Sequence, residues 1–113
     1  MHDAAYRRGL ELFDRGEFFD AHEVLEDVWR AAPAEEKKFL QGLIQAAVGL
    51  HHHSRGNLAG ARSLLARAER NLSGYAAGHG GIDVSGLRAH LTRWVGALEN
   101  GESVPELPRL RQQ

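Results

Sequence analysis

Apolar residues recur along this chain at intervals of three and four, which is the spacing of a helix that buries one face. No stretch alternates apolar and polar residues in the manner of a half-buried strand. The pattern therefore predicts an all-α protein of about five helices. We expect these helices at residues 3–15, 18–31, 33–53, 57–75 and 87–98.

Glycine and proline mark the breaks between the predicted helices. Gly16, Pro33 and Gly56 separate the first four, since glycine ends a helix readily and proline cannot continue one. The glycine-rich stretch AAGHGGI, at residues 76–82, precedes the last. Each break is short, so consecutive helices are expected to pack as antiparallel neighbours.

A sequence repeat relates the first helical pair to the second. RGEFFDAHEVLEDVWR, which begins at Arg15, aligns without gaps with RGNLAGARSLLARAER, which begins at Arg55. Each copy has a glycine in the turn and an alanine five residues later, where two helix backbones approach. The repeat predicts two stacked antiparallel helical hairpins, which the fifth helix closes.

The glycine, alanine and proline spacing of these copies partly resembles a tetratricopeptide motif, at positions that include Gly9, Pro33 and Gly49. The copies lie 40 residues apart, whereas that motif repeats at roughly 34. Arg8 also stands where the motif favours an apolar residue. The resemblance therefore implies paired helices without a regular solenoid.

Length and charge bound the domain organisation and the class of partner. A chain of 113 residues has room for one helical domain, expected at residues 1–100. Pro105 and Pro108 predict a loosely ordered tail over residues 101–113, whose removal is expected to be nearly silent. The 14 Lys and Arg residues balance 15 Asp and Glu residues, giving a formal net charge of -1. That balance disfavours nucleic acid as a partner.

The absence of cysteine leaves His, Asp and Glu as the candidate metal ligands. The first residues lack the apolar stretch of a signal peptide, and no apolar run approaches the roughly 20 residues of a membrane span. These features predict a cytoplasmic protein with no membrane partner.

The predicted second helix carries three chemically capable side chains at the spacing His22-x-x-x-Glu26-x-x-Trp29. A helical wheel places His22 and Trp29 at the margin of the buried face, with Glu26 one step further out. Residues four apart are neighbours on a helix, so His22 and Glu26 can bind one divalent ion or hydrogen-bond each other. In the second case the pair is structural and needs no ligand.

The predicted third helix is apolar almost all round, and its inward polar residues are the candidates to meet that pair. Gln41, Gln45 and His52 fall on one stripe, and we expect at least one of them to share an inward pocket with His22, Glu26 and Trp29. The triplet HHH at residues 51–53 cannot converge on one ion, because consecutive helical residues diverge by about 100°. His52 is the member on the expected stripe.

Two long stretches of the chain, ELFDRGEFFDAHEVLEDVWR and FLQGLIQAAVGLHHHSRGNLAGARSLLARA, resemble the small prokaryotic proteins grouped as domain of unknown function 309. The resemblance covers about residues 10–72. The family's motif, His-x-x-x-Glu-x-x-Trp/Tyr, is present as His22, Glu26 and Trp29. The resemblance implies a helical bundle in which this motif is a candidate metal site, and it identifies no substrate.

One hypothesis for the function is a divalent-metal site or ligand pocket built on His22, Glu26 and Trp29, serving hydrolysis. His52, or an amide of Gln41 or Gln45, is the candidate further ligand. Because two ligands from one helix are too few for a metal enzyme, the sequence leaves open whether the protein is an enzyme.

Two further hypotheses make the His22–Glu26 pair structural. In one, a groove between the hairpins receives a peptide or a partner helix, and the solvent-facing Phe19 belongs to that surface. In the other, the chain forms a homo-oligomer that covers the open end of the hairpin stack. Metal content, partner capture and solution mass distinguish the three hypotheses.

Overall fold

A computed structural model describes residues 3–111, and this part of the chain is all-α, as the spacing predicts. Its elements are α1 (Ala4–Asp14), α2 (Phe18–Ala31), α3 (Ala34–Ser54), α4 (Leu58–Leu72), a short 3-10 turn (His79–Gly81) and α5 (Val84–Asn100).

Polar side chains cap the N-termini of three of these helices. Asp3 accepts a hydrogen bond from the backbone N–H of Tyr6, and Asn57 accepts one from Gly60. At the start of α5, Asp83 accepts from Gly86. Each bond satisfies a backbone donor that has no partner within its helix.

The turns at Gly16 and Gly56 have the same geometry, 40 residues apart in the sequence. Both glycines have φ of 81°, a left-handed conformation that glycine adopts without steric cost. Glu17 N–H donates to Leu12 O at 2.9 Å, and Asn57 N–H donates to His52 O at the same distance. These bonds close a Schellman turn at the end of α1 and again at the end of α3.

Within each hairpin, the two helices also approach each other through equivalent residues. A Cβ on Gly9 would lie 2.7 Å from a methyl carbon of Leu25, and one on Gly49 would lie 2.9 Å from the same atom of Leu65. Glycine at both positions lets the facing leucine enter the groove of the opposite helix. The repeat in the sequence therefore corresponds to a repeat in packing.

Consecutive helices pack against each other in the order α1, α2, α3, α4 and α5. The third helix lies between α2 and α4, which explains its apolar composition on nearly all sides. The fifth helix adds Leu87, Leu91 and Trp94 to the core, while Val95 and Leu98 are half-buried. Within residues 3–111, no helix is long and apolar enough to cross a membrane.

The prediction of a loosely ordered tail is wrong for the segment up to Arg111, because that segment packs on the helices. Leu110 is fully buried in the core. The carbonyl of Glu106 accepts hydrogen bonds from the indole Nε1 of Trp94 at 3.0 Å and from Nε2 of His90 at 2.6 Å. The last two residues of the predicted tail, 112 and 113, lie outside the described residues.

Candidate functional site

The histidine and glutamate of the predicted motif lie side by side on α2. His22 Nδ1 is 2.5 Å from the carbonyl oxygen of Phe19, and because a carbonyl only accepts, Nδ1 carries the hydrogen. His22 Nε2 lies 3.5 Å from Oε1 of Glu26. The backbone of α2 thus fixes the imidazole so that Nε2 is directed toward the carboxylate.

This pair lies at the surface rather than in an inward pocket. The side chain of His22 is 19% exposed and that of Glu26 is 44% exposed. The expectation that both face inward is therefore corrected: His22 lies at the core margin, and the carboxylate reaches solvent. An ion or ligand from solution has direct access to it.

The spacing of the two groups suits a shared metal ion. Two ligand atoms, each about 2.1 Å from a tetrahedral zinc ion, lie about 3.4 Å apart. The separation of 3.5 Å between His22 Nε2 and Glu26 Oε1 is close to that value. A hydrogen bond from the Nδ1–H to a backbone carbonyl, as His22 makes to Phe19, is the usual second contact of a metal-binding histidine.

Trp29, the third residue of the predicted motif, lies near the C-terminal end of α2 and packs at the start of α3. Lys37 Nζ lies 4.2 Å from the centre of the Trp29 ring and donates to the backbone carbonyl of Trp29 at 2.6 Å. The indole Nε1 of Trp29 is buried, and it has no hydrogen-bond partner among the residues described. Trp29 is therefore fixed by packing and by Lys37 rather than by its own N–H.

Phe19 lies at the N-terminal end of α2 and contacts α3 near the C-terminus of that helix. Its side chain is 50% exposed, as the wheel predicts. The ring centre lies 4.9 Å from that of His22 and 5.4 Å from that of His51. Phe19 therefore contacts an imidazole on each of the two helices.

The expectation that Gln41, Gln45 or His52 shares an inward pocket with the pair is corrected by the positions and contacts of these three residues. Gln41 is exposed to solvent, and Gln45 Oε1 accepts from Asn71 Nδ2 on α4 at 2.7 Å. His52 Nδ1 lies 3.3 Å from Nδ2 of Asn57, which caps α4. Gln45 and His52 thus face α4, because α3 is sandwiched between two helices, and His51 is the residue that faces the start of α2.

Metal binding by three side chains does not follow from the arrangement as it stands. Across residues 3–111, no three His, Asp or Glu side chains are grouped so that they could hold an ion together. The pair of His22 and Glu26 fits such a role by spacing and by tautomer, and it requires at least one more ligand.

Comparison with known proteins places the chain in a family. The family model for the Domain of unknown function (DUF309) matches residues 6–64. The chain belongs to the DUF309 family. His22, Glu26, Trp29 and His51 all lie within the segment that the DUF309 model matches.

Two curated relatives are longer than this chain. An uncharacterised protein of Aquifex aeolicus (strain VF5) is 35% identical over 96 residues, which are 84% of this chain and 28% of that protein. The uncharacterised protein YpuF of Bacillus subtilis (strain 168) is 40% identical over 79 residues, 69% of this chain and 44% of that protein. The chain therefore spans less than half the length of these relatives.

A second polar cluster, which does not include His22, Glu26 or Trp29, holds the loop between α4 and α5 in place. His79 Nε2 lies 2.6 Å from Oε1 of Glu36, and the Tyr6 hydroxyl donates to Gly80 O at 2.7 Å. Burial, and secondarily the negative charge of Glu36, raises the pKa of Tyr6 well above its ordinary value. Sequence reasoning missed this cluster because its members come from distant segments at no common spacing.

Proposed function

We propose that this DUF309 protein binds a divalent metal ion through His22 and Glu26, on the surface between α2 and α3. The observation that carries the proposal is the geometry of the pair. His22 Nε2 lies 3.5 Å from Glu26 Oε1, while Nδ1 is committed to the Phe19 carbonyl. The nitrogen that faces the carboxylate is therefore the one with a lone pair when the imidazole is neutral.

The exposure of the two side chains also favours a ligand site over a purely structural pair. Glu26 is 44% exposed, and an exposed ion pair contributes little to the free energy of unfolding. Trp29 lies one turn beyond Glu26 and provides an aromatic surface beside it. A divalent ion bound here would supply the Lewis acidity that hydrolysis uses.

A specific observation favours a second function for the same surface, namely docking of a protein partner. Phe19 is a large aromatic side chain with half of its surface exposed, next to His22. Aromatic residues are enriched at the centres of protein interfaces. In this alternative the pair orients Phe19 through the His22 ring, and no metal is needed.

The test is elemental analysis and zinc titration of protein purified without a polyhistidine tag, since a tag would itself bind zinc. We expect one zinc ion per chain in the wild type. His22→Ala and Glu26→Gln should each abolish stoichiometric binding and leave the helical circular dichroism unchanged. Glu23→Gln is the matched control, because Glu23 is an exposed carboxylate on the same helix, outside the motif.

Wild-type protein that binds no zinc would overturn the proposal. If His22→Ala and Glu26→Gln then lower the free energy of unfolding, the pair is structural, and Phe19 becomes the residue to test in partner capture. Zinc binding that survives both substitutions would also contradict the proposal, since it would place the ion elsewhere, as on the histidine triplet.

A further inference from the structure

We infer that His51 is the third protein ligand of the metal site, and that the Phe19 ring, which contacts both His51 and His22, moves aside when the metal binds. This inference rests on the proposed function and names the residue that completes it. The Phe19 ring contacts both imidazoles, with ring centres 4.9 Å away for His22 and 5.4 Å for His51. One histidine on each of the two helices therefore lies beside the same exposed side chain, that of Phe19.

The pairing of α2 with α3 brings these imidazoles toward each other. Phe19 meets His51 at one end of the pair, and Trp29 meets Lys37 at the other, so the helices run antiparallel. Side chains on a helix lean toward its N-terminus. His22 therefore leans toward the level of Phe19, as its bond to the Phe19 carbonyl shows, and His51 leans along α3 toward the level of His22.

Phe19 can leave its position at low cost. Its side chain is already 50% exposed, so rotation into solvent gives up little buried apolar surface. The ring contacts with the two imidazoles are the interactions that rotation gives up, and a bound ion replaces them. We expect the ring to move outward when the metal binds.

The three consecutive histidines have three different neighbours, which singles out one of them. His52 Nδ1 lies 3.3 Å from the amide of Asn57. The ring of His53 lies edge-on to Trp94 of α5, with centres 4.9 Å apart. Among the ring contacts of residues 3–111, His51 is the member of the triplet that contacts Phe19, which also contacts His22.

The resulting ligand set has a recognised chemistry. Two histidines and one glutamate hold the catalytic zinc of several hydrolases, with a position left for water or substrate. His22, Glu26 and His51 would provide that set from two helices, with Trp29 on the same face of α2. The ligand class expected at the remaining position is a small oxygen donor.

The decisive experiment compares zinc and cobalt binding in His51→Ala and His52→Ala, both in untagged protein. We expect His51→Ala to weaken zinc binding at least about tenfold and to change the visible absorption of the cobalt complex. His52→Ala, the adjacent control, should stay within about twofold of the wild type. Phe19→Ala should bind zinc at least as tightly as the wild type, because no ring then has to move.

The outcomes separate this inference from the proposed function. If zinc binding requires His22 and Glu26 but is equal in His51→Ala and His52→Ala, the inference is wrong and the proposed function stands. If the wild type binds no zinc, both are wrong. Circular dichroism and urea unfolding of each variant show whether a loss of binding reflects a loss of fold.

Discussion

The carboxylate of Asp14 accepts a hydrogen bond from the backbone N–H of Leu110 at 2.6 Å, although the two residues lie 96 positions apart. The other oxygen of Asp14 accepts from the N–H of Arg111 at 3.2 Å. The end of α1 is thereby joined to the segment that follows α5, and the Leu110 side chain enters the core at that point. The segment that follows α5 is therefore held against the C-terminal end of α1.

The first prediction is that Leu110 stabilises the fold although it lies outside every helix. Leu110→Ala should lower the free energy of unfolding by about 2 to 5 kcal/mol, because it removes a fully buried side chain. Leu107→Ala is the matched control, with a side chain that is 50% exposed. It should change that free energy by no more than about 0.5 kcal/mol. Urea unfolding measures both, and equal effects would contradict the role of Leu110.

The second prediction concerns the contact between α3 and α4 at Gly42. A Cβ at this position would lie 2.8 Å from Leu72 Cγ and 3.3 Å from the backbone oxygen of Ala68. Gly42→Ala should therefore lower the free energy of unfolding by about 1 to 3 kcal/mol, because the helices must separate. Thermal unfolding followed by circular dichroism measures the effect.

Gly96 is the control for that substitution. It lies inside α5, and a Cβ there would meet nothing within 4 Å. Gly96→Ala should raise the free energy of unfolding by about 0.5 to 1 kcal/mol, since alanine favours the helix. If Gly96→Ala lowers the free energy of unfolding as much as Gly42→Ala does, the loss at Gly42 cannot be assigned to the contact with Leu72.

The helices could be predicted from the sequence because their limits are set locally. The bounds of α2 agree at both ends with the prediction of 18–31, since Gly16 and Pro33 mark the adjoining turns. The fourth helix ends at Leu72 rather than near residue 75, because Ser73 and Gly74 form a turn. Local residue types thus determine where each helix begins and ends to within a few residues.

The candidate site could be predicted only in part, because α3, the second of the two helices that form it, has no single apolar face. His22 and Glu26 lie together as their spacing on one helix requires. For α3 the wheel cannot tell which side meets α2, since residues all round it are buried. That depends on the order of packing, so the wheel predicts His52 on the shared stripe, whereas His51 is the member of the triplet that contacts Phe19 of α2. The anchor at Leu110 was missed because its partner, Asp14, lies at the other end of the chain.

The third prediction concerns the unpaired indole N–H of Trp29. Trp29→Phe removes a buried donor that has no partner among the described residues and keeps a ring beneath Lys37. We expect the free energy of unfolding to stay within about 1 kcal/mol of the wild type, because the lost volume is offset by the removed donor. Trp29→Ala should lower it by about 3 kcal/mol through the cavity it leaves. Equal losses in urea unfolding would mean that the N–H is satisfied.

The fourth prediction is a loss of stability at alkaline pH through Tyr6. Burial, and then the charge of Glu36, raises the pKa of Tyr6 in the folded protein, whereas the unfolded chain has the ordinary value of about 10. Below pH 10 both states keep the proton, so the contribution of Tyr6 is fully present. Above pH 10 only the unfolded state ionises, so this contribution falls by up to about 1.4 kcal/mol per pH unit.

Tyr6→Phe isolates that effect from the titration of other groups. At pH 7 the substitution should lower the free energy of unfolding by about 0.5 to 1.5 kcal/mol, because it removes the hydrogen bond to the Gly80 carbonyl. Above pH 10 the wild type loses stability through Tyr6 and the variant does not, so the difference between them should shrink and then reverse. Urea unfolding at pH 7, 10 and 11 tests this, and a constant difference would show that Tyr6 ionises equally in both states.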